Sequence, residues 1–154
     1  MRRAEEFRFL ILATQREGNR ALAQALRTLG LTPAQAEALR ILDDYGTLSL
    51  RGVGELLVCE SGHSPSRIID RLVSMGTVAK TVATTDRRET TLTLTRRGLA
   101  LAAKVADIEA AIYGAIEGAV SDRDMAVVIR VLRSLVGELP AGQAIARRKT
   151  LSIT

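Results

Sequence analysis

Two short clusters in this 154-residue chain carry side chains suited to binding a polyanion. The first is His63, Ser64, Ser66, Arg67 and Arg71; the second is Asp86-Arg87-Arg88, with Arg96 shortly after it. Guanidinium forks and hydroxyls at three- and four-residue steps can donate to phosphate oxygens and to the edges of bases. Catalysis has no comparable footing. No nucleophile lies near a usable base in sequence, and no Gly-rich loop of the phosphate-cradling type is present, so the chain reads as a non-enzyme. A single cysteine, Cys59, excludes an internal disulfide and a thiolate-rich zinc site, and a single histidine, His63, excludes a multi-histidine centre. No metal and no cofactor is expected.

The net charge of +5 is concentrated around these clusters. Residues 1–60 are neutral overall, 61–97 carry +4, 98–142 carry −2 and 143–154 carry +3. A basic segment between neutral and acidic ones is the footprint of polyanion binding, although a solvated basic face would look the same on charge alone. Hydrophobic residues make up 47% of the chain and aromatics only 3%, so the core must be aliphatic. No apolar run reaches the roughly 18 residues of a membrane span. The start, Met1-Arg2-Arg3-Ala4-Glu5-Glu6, does not read as a signal peptide, so the cytoplasm is the expected compartment.

Periodicity supplies the elements that would position the clusters. Residues 5–29 read as a long amphipathic helix ended by Gly30, and Thr32-Pro33-Ala34-Gln35 as a capped start for a helix to about Tyr45. Thr47-Leu48-Ser49 is a short extended link to a helix over 50–58, where Gly52 and Gly54 imply close packing against a neighbour. After the turn 59–63, a helix runs to Met75 and stops at Gly76, with either Ser61 or Ser64 as its cap. Its apolar stripe is Ile68, Ile69, Leu72 and Met75; Ser66, Arg67, Asp70, Arg71 and Ser74 lie opposite. The β-branched runs 77–82 and 90–94 predict a two-stranded hairpin with a basic tip. Thr95 caps a long helix over about 96–119, Ser121 starts a last one to about 138, and Pro140-Ala141-Gly142 breaks it, leaving a loosely ordered basic tail over 143–154.

This order predicts a mainly α (α+β) fold: a winged helix-turn-helix domain over 32–95, flanked by helices over 5–30 and 96–140. The third helix of the domain can lie in a DNA major groove while the hairpin tip places Arg87 or Arg88 in the adjacent minor groove. The apolar faces of the long flanking helices are too large for a domain of about 65 residues to cover. Pairing with a second copy would cover them, giving a homodimer and a palindromic operator in double-stranded DNA.

The chain resembles the MarR (multiple antibiotic resistance regulator) family of bacterial winged-helix repressors over about residues 5–140. Asp86-Arg87-Arg88, followed by Thr91-Leu92-Thr93-Leu94-Thr95-Arg96-Arg97-Gly98, is similar to the family's wing and the helix start after it. Asp70-Arg71-Leu72-Val73-Ser74-Met75-Gly76 is similar to the end of its recognition helix. The resemblance implies that Asp86 pairs with Arg88 to stiffen the wing, that Arg87 enters the minor groove, and that Ser64, Ser66, Arg67 and Arg71 read the major groove. It also implies a dimer, repression by promoter occlusion, and release in many members by a small-molecule effector held between the dimerisation and DNA-binding regions. The stretch from Cys59 to His63 is about one residue longer than the family's usual turn.

Several residues have blander readings. Cys59, beside Glu60, reads as a small semi-buried residue rather than a redox sensor. His63 is a phosphate or base contact, or merely a turn residue. Asp70 reads as orienting a neighbouring arginine. Arg96 and Arg97, unfavourable at a helix N-terminus, contact phosphate or pair with an acid. Arg147-Arg148-Lys149 in the tail reads as solvated. The competing functions are a winged-helix protein-interaction module and a non-specific architectural DNA-binding protein.

Overall fold

The computed structural model describes residues 1–59, 62, 64–82 and 90–151. Seven helices and three strands follow one another: α1 (Arg3–Leu26), α2 (Pro33–Tyr45), β1 (Leu48–Ser49), α3 (Leu50–Leu56), α4 (Pro65–Ser74), β2 (Val78–Val82), β3 (Thr90–Leu94), α5 (Arg96–Ala119), α6 (Asp122–Val136) and α7 (Pro140–Leu151). A single 3-10 turn over Arg27–Leu29 leads from α1 to Gly30. The expected cap of α2 is present in both directions: the Gln35 amide donates to Thr32 Oγ1 at 3.3 Å, and the Thr32 amide donates to Gln35 Oε1 at 3.0 Å.

The head of the molecule is α2, α3, α4 and an antiparallel sheet in the order β1-β3-β2. The link at Leu48–Ser49 is therefore a third strand, with Leu48 opposite Leu92 of the central strand. Leu39, Ile41, Val53, Ile69, Leu72 and Leu92 are fully or almost fully buried, and Leu26 and Val105 reach in from the flanking helices. The core is aliphatic throughout; Tyr45 packs only at its edge. Each such side chain contributes about 1.5–3 kcal/mol by leaving water.

The flanking helices behave differently. α1 buries only Leu26, and α6 buries no residue at all. Phe7, Leu10, Ile11, Val127, Val128, Leu132 and Leu135 stand exposed on them.

The C-terminal segment departs from expectation. The loosely ordered tail expected over 143–154 is helix α7 as far as Leu151. Pro140 occupies its first position, where its missing N–H costs nothing, so it starts a helix as well as ending one. A Cβ on Gly142 would lie 1.9 Å from the Val136 carbonyl oxygen, so a glycine lets α7 fold closely over the end of α6.

The joint between head and α5 is equally tight. Thr95 Oγ1 accepts from the Gly98 amide at 3.1 Å and donates to the Gly76 carbonyl at 2.7 Å, while the Thr95 amide donates to the Thr77 carbonyl at 3.0 Å. A Cβ on Gly98 would lie 2.0 Å from the Thr77 carbonyl oxygen. Gly98→Ala is expected to destabilise the fold by about 2–3 kcal/mol through this backbone clash, seen as a lower urea midpoint at an unchanged slope.

Candidate nucleic-acid interface

Helix α4 owes its placement to the contrast between its two sides. Ile68, Ile69 and Leu72 are buried, whereas Ser64, Arg67, Asp70, Arg71 and Ser74 are exposed and Ser66 is half-buried. The helix begins at Pro65, with Ser64 in the extended conformation before it. Ser64 thus occupies the cap position but makes no cap bond; its hydroxyl instead lies 2.9 Å from that of Ser66. Gly54 explains how α3 and α4 pack at the turn: a Cβ there would lie 3.3 Å from Pro65 Cγ.

Among the described residues Asp70 pairs with a lysine and not with the arginine expected of it. It accepts from Lys80 Nζ of β2 at 2.5 Å, because α4 and the strand after Gly76 run side by side. The pair ties the exposed helix face to the base of the wing. Among the described residues, Arg67, Arg71 and Arg96 are exposed and pair with no acid. The expectation of an acidic partner for Arg96 or Arg97 therefore finds no support among those residues. His63, Asp86, Arg87 and Arg88, and the alternative cap Ser61, lie outside the described residues.

Behind this face lies a polar network that the sequence reading missed. Glu37 of α2 is nearly buried. Its carboxylate accepts from the amides of Val58 at 2.9 Å and Cys59 at 2.7 Å, and pairs with Arg148 of α7. Arg148 also donates from Nε and Nη2 to the Leu56 carbonyl, at 2.8 and 2.6 Å, and its own carbonyl accepts from the Tyr45 hydroxyl at 3.0 Å. Arg148 is thus half-buried structure, not a solvated tail residue. An acid at 37 among Ala36, Ala38 and Leu39 was the one available signal.

Cys59 sits beside this carboxylate. Burial, reinforced by Glu37, pushes its thiol up to about 12 from an ordinary value near 9.0. Among the described residues the acid beside the thiol is Glu37; Glu60, expected to disfavour the thiolate, lies outside them. Between those two values the folded state holds a proton that the unfolded chain has released, so stability falls as pH rises through that window.

Among the described residues, cavities lie beside the head and between the long helices. One of about 430 Å³ lies between α3 and α7, lined by Leu48, Gly52, Leu56, Ala146 and Leu151. A second, of about 290 Å³, lies where α4 ends against α5, with Arg97 and Lys104 on its rim. A third, of about 250 Å³, lies between α1 and α5 and includes Glu109 and Tyr113. Burial raises the Glu109 carboxyl above its ordinary range despite its hydrogen bond from Arg40 at 3.2 Å.

The geometry matches known proteins. The family described as winged helix DNA-binding domain matches residues 31–98. Over 106 residues the chain is 30% identical to the organic hydroperoxide resistance transcriptional regulator of Bacillus subtilis (strain 168), covering 69% of this chain and 71% of that protein. The chain belongs to the MarR family of winged-helix transcriptional regulators. A MarR family transcriptional regulator from Silicibacter pomeroyi DSS superposes with a TM-score of 0.70 at 26% identity, covering 85% of this chain and 87% of that one. A mutant MarR from E. coli complexed with operator DNA shares the fold, with a TM-score of 0.72 at 22% identity over 82% of this chain and 91% of that one. The residues matched by the winged helix family run from the end of the first helical segment through α2, α3, α4 and the sheet to the start of α5. No helix among the described residues is long and apolar enough to cross a membrane.

The raised Cys59 pKa yields a direct test. At pH 8, iodoacetamide should modify native Cys59 at least about a hundredfold more slowly than the same cysteine in urea, as followed by mass spectrometry.

Proposed function

We propose that this regulator is a homodimeric repressor that binds a palindromic promoter site in double-stranded DNA. The observation that carries this reading is the outward face of α4: a polar, unneutralised arginine face on a helix held by an apolar stripe, next to the wing strands. In this reading Ser64, Ser66, Arg67 and Arg71 meet base edges and phosphates in the major groove. Arg87 enters the minor groove from a wing stiffened by an Asp86–Arg88 pair, Arg96 meets phosphate at the start of α5, and His63 contacts the backbone ahead of α4. The +4 of residues 61–97 supplies the long-range attraction.

The second copy is the occupant of the exposed apolar faces. α1 and α6 present Phe7, Leu10, Ile11, Val128, Leu132 and Leu135 to solvent, and a two-fold pairing buries them while setting two α4 helices about one DNA turn apart. The working division is therefore 32–95 for DNA binding and 5–30 with 96–140 for dimerisation. The regulator needs no cofactor, performs no catalysis and works in the cytoplasm. A small-molecule effector, if one is used, finds room in the cavities between head and long helices, which fall near the lower end of the size range for ligand sites. Tyr113 gives the α1–α5 cavity one aromatic side chain.

Operator duplexes recovered by selection from random sequence provide the assay. Arg67→Ala and Arg71→Ala should each cost about 1–3 kcal/mol in binding, and Arg87→Ala should weaken binding without lowering thermal stability. Unchanged affinity in Arg87→Ala would remove the wing assignment, and equal affinity for unrelated DNA would favour the architectural alternative. Leu132→Asp places a charge on the α6 face and should convert the dimer to monomer in analytical ultracentrifugation.

A further inference from the structure

The attachment of the head to α7 has no role in the reading above. α5 leaves the head at the Thr77–Thr95–Gly98 joint, and α6 follows it without a buried residue. α7 then folds over α6 at Gly142 and meets the head again at α3. There Arg148 bridges two groups of the head, the Leu56 carbonyl at the end of α3 and the Glu37 carboxylate of α2. Glu37 in turn holds the amides of Val58 and Cys59, the first residues of the turn leading to α4. Arg147 adds a contact to Glu55 of α3 at 3.5 Å.

We propose that Arg148 is a positioning residue: by clasping α7 to the end of α3 it fixes the angle at which the dimer presents its α4 helices to DNA. The head is joined to α1 and α5 through buried Leu26, the Thr95–Gly98 joint and the Arg40–Glu109 pair, and α7 adds a separate hold at α3. A shift of the head against α7 must break a half-buried ion pair and the hydrogen bonds to Leu56. Arg148 itself points into the protein, so it acts through Glu37 and the 57–59 turn and not by touching DNA. The guanidinium fork suits the task because one side chain must satisfy a carboxylate and a carbonyl together, which a lysine ammonium does less well.

The inference rests on the DNA-binding dimer proposed above. Its test compares wild type, Arg148→Ala, Arg148→Lys and Tyr45→Phe on a palindromic duplex that the wild-type protein selects from a random library, and on the same duplex with one or two base pairs inserted between half-sites. If loss of the clasp leaves the head correctly oriented about a tenth of the time, affinity for the selected duplex falls about tenfold. Binding to the lengthened duplexes should fall far less, so spacing discrimination shrinks by about the same factor. Arg148→Lys should recover part of it, and Tyr45→Phe, which keeps the ion pair, should show a smaller loss. Hydrogen exchange at Val58 and Cys59 should rise in Arg148→Ala while α5 amides stay protected.

Equal weakening on all duplexes would indicate only a structural role and overturn the proposal. A salt dependence reduced by about one unit of slope would make Arg148 a phosphate contact and also overturn it. Wild-type selection of no palindromic duplex would remove the underlying reading, and the proposal with it; normal selection with unaltered spacing discrimination in Arg148→Ala overturns the proposal alone.

Discussion

The head is organised around the backbone of Thr77. Its amide and hydroxyl both donate to the Leu72 carbonyl, at 3.0 and 2.8 Å, so the chain leaving α4 is held against the helix it has just left. Its carbonyl accepts from the Thr95 amide and lies so close to α5 that residue 98 has no room for a side chain. Three elements, α4, the base of the wing and α5, thus share one buried residue. Gly76, with φ of 70°, makes the reversal possible at a conformation where a β-carbon is strained. Because backbone–backbone bonds have fixed geometry, the angle between α4 and the wing is set before any surface contact forms.

Glu37 applies a different kind of constraint. Burying a carboxylate costs several kcal/mol unless its oxygens are satisfied, and here two amides and a guanidinium satisfy them. An apolar residue at the same place would cost less to bury but would leave the Val58 and Cys59 amides without this acceptor. The network therefore holds residues 57–59, which lie in neither helix nor strand. The same carboxylate suppresses ionisation of the neighbouring thiol, which makes the protein's single cysteine chemically quiet.

Much of this was legible in the sequence because it depends on local signals. The capping box at Thr32 and Gln35, the apolar stripe of α4, the β-branched alternation of β2 and β3, and the cap at Thr95 each announce themselves within a few residues. Gly54 and Gly98 were legible in part: the first as a sign of close packing, the second only as part of a family motif. What was not legible was long-range. Glu37 and Arg148 are 111 residues apart, and neither carries a local pattern naming the other. Helix α7 was missed because Pro140 and Gly142 are helix breakers in isolation; only the fold reveals that one begins a helix and the other relieves a collision. Lys80 took the place expected of an arginine beside Asp70 because strand pairing, invisible to helical periodicity, brings it there.

The exposed apolar faces of α1 and α6 carry a consequence for regulation in time. A subunit that completes its hydrophobic burial only on meeting its twin is stabilised by mass action, so its persistence depends on how many copies surround it. Newly made chains at low abundance would spend longer with those faces bare, open to proteolysis and chaperones, whereas an established pool would protect itself. In the homodimer proposed above, stability therefore rises with the protein's own abundance, independently of any signal it senses.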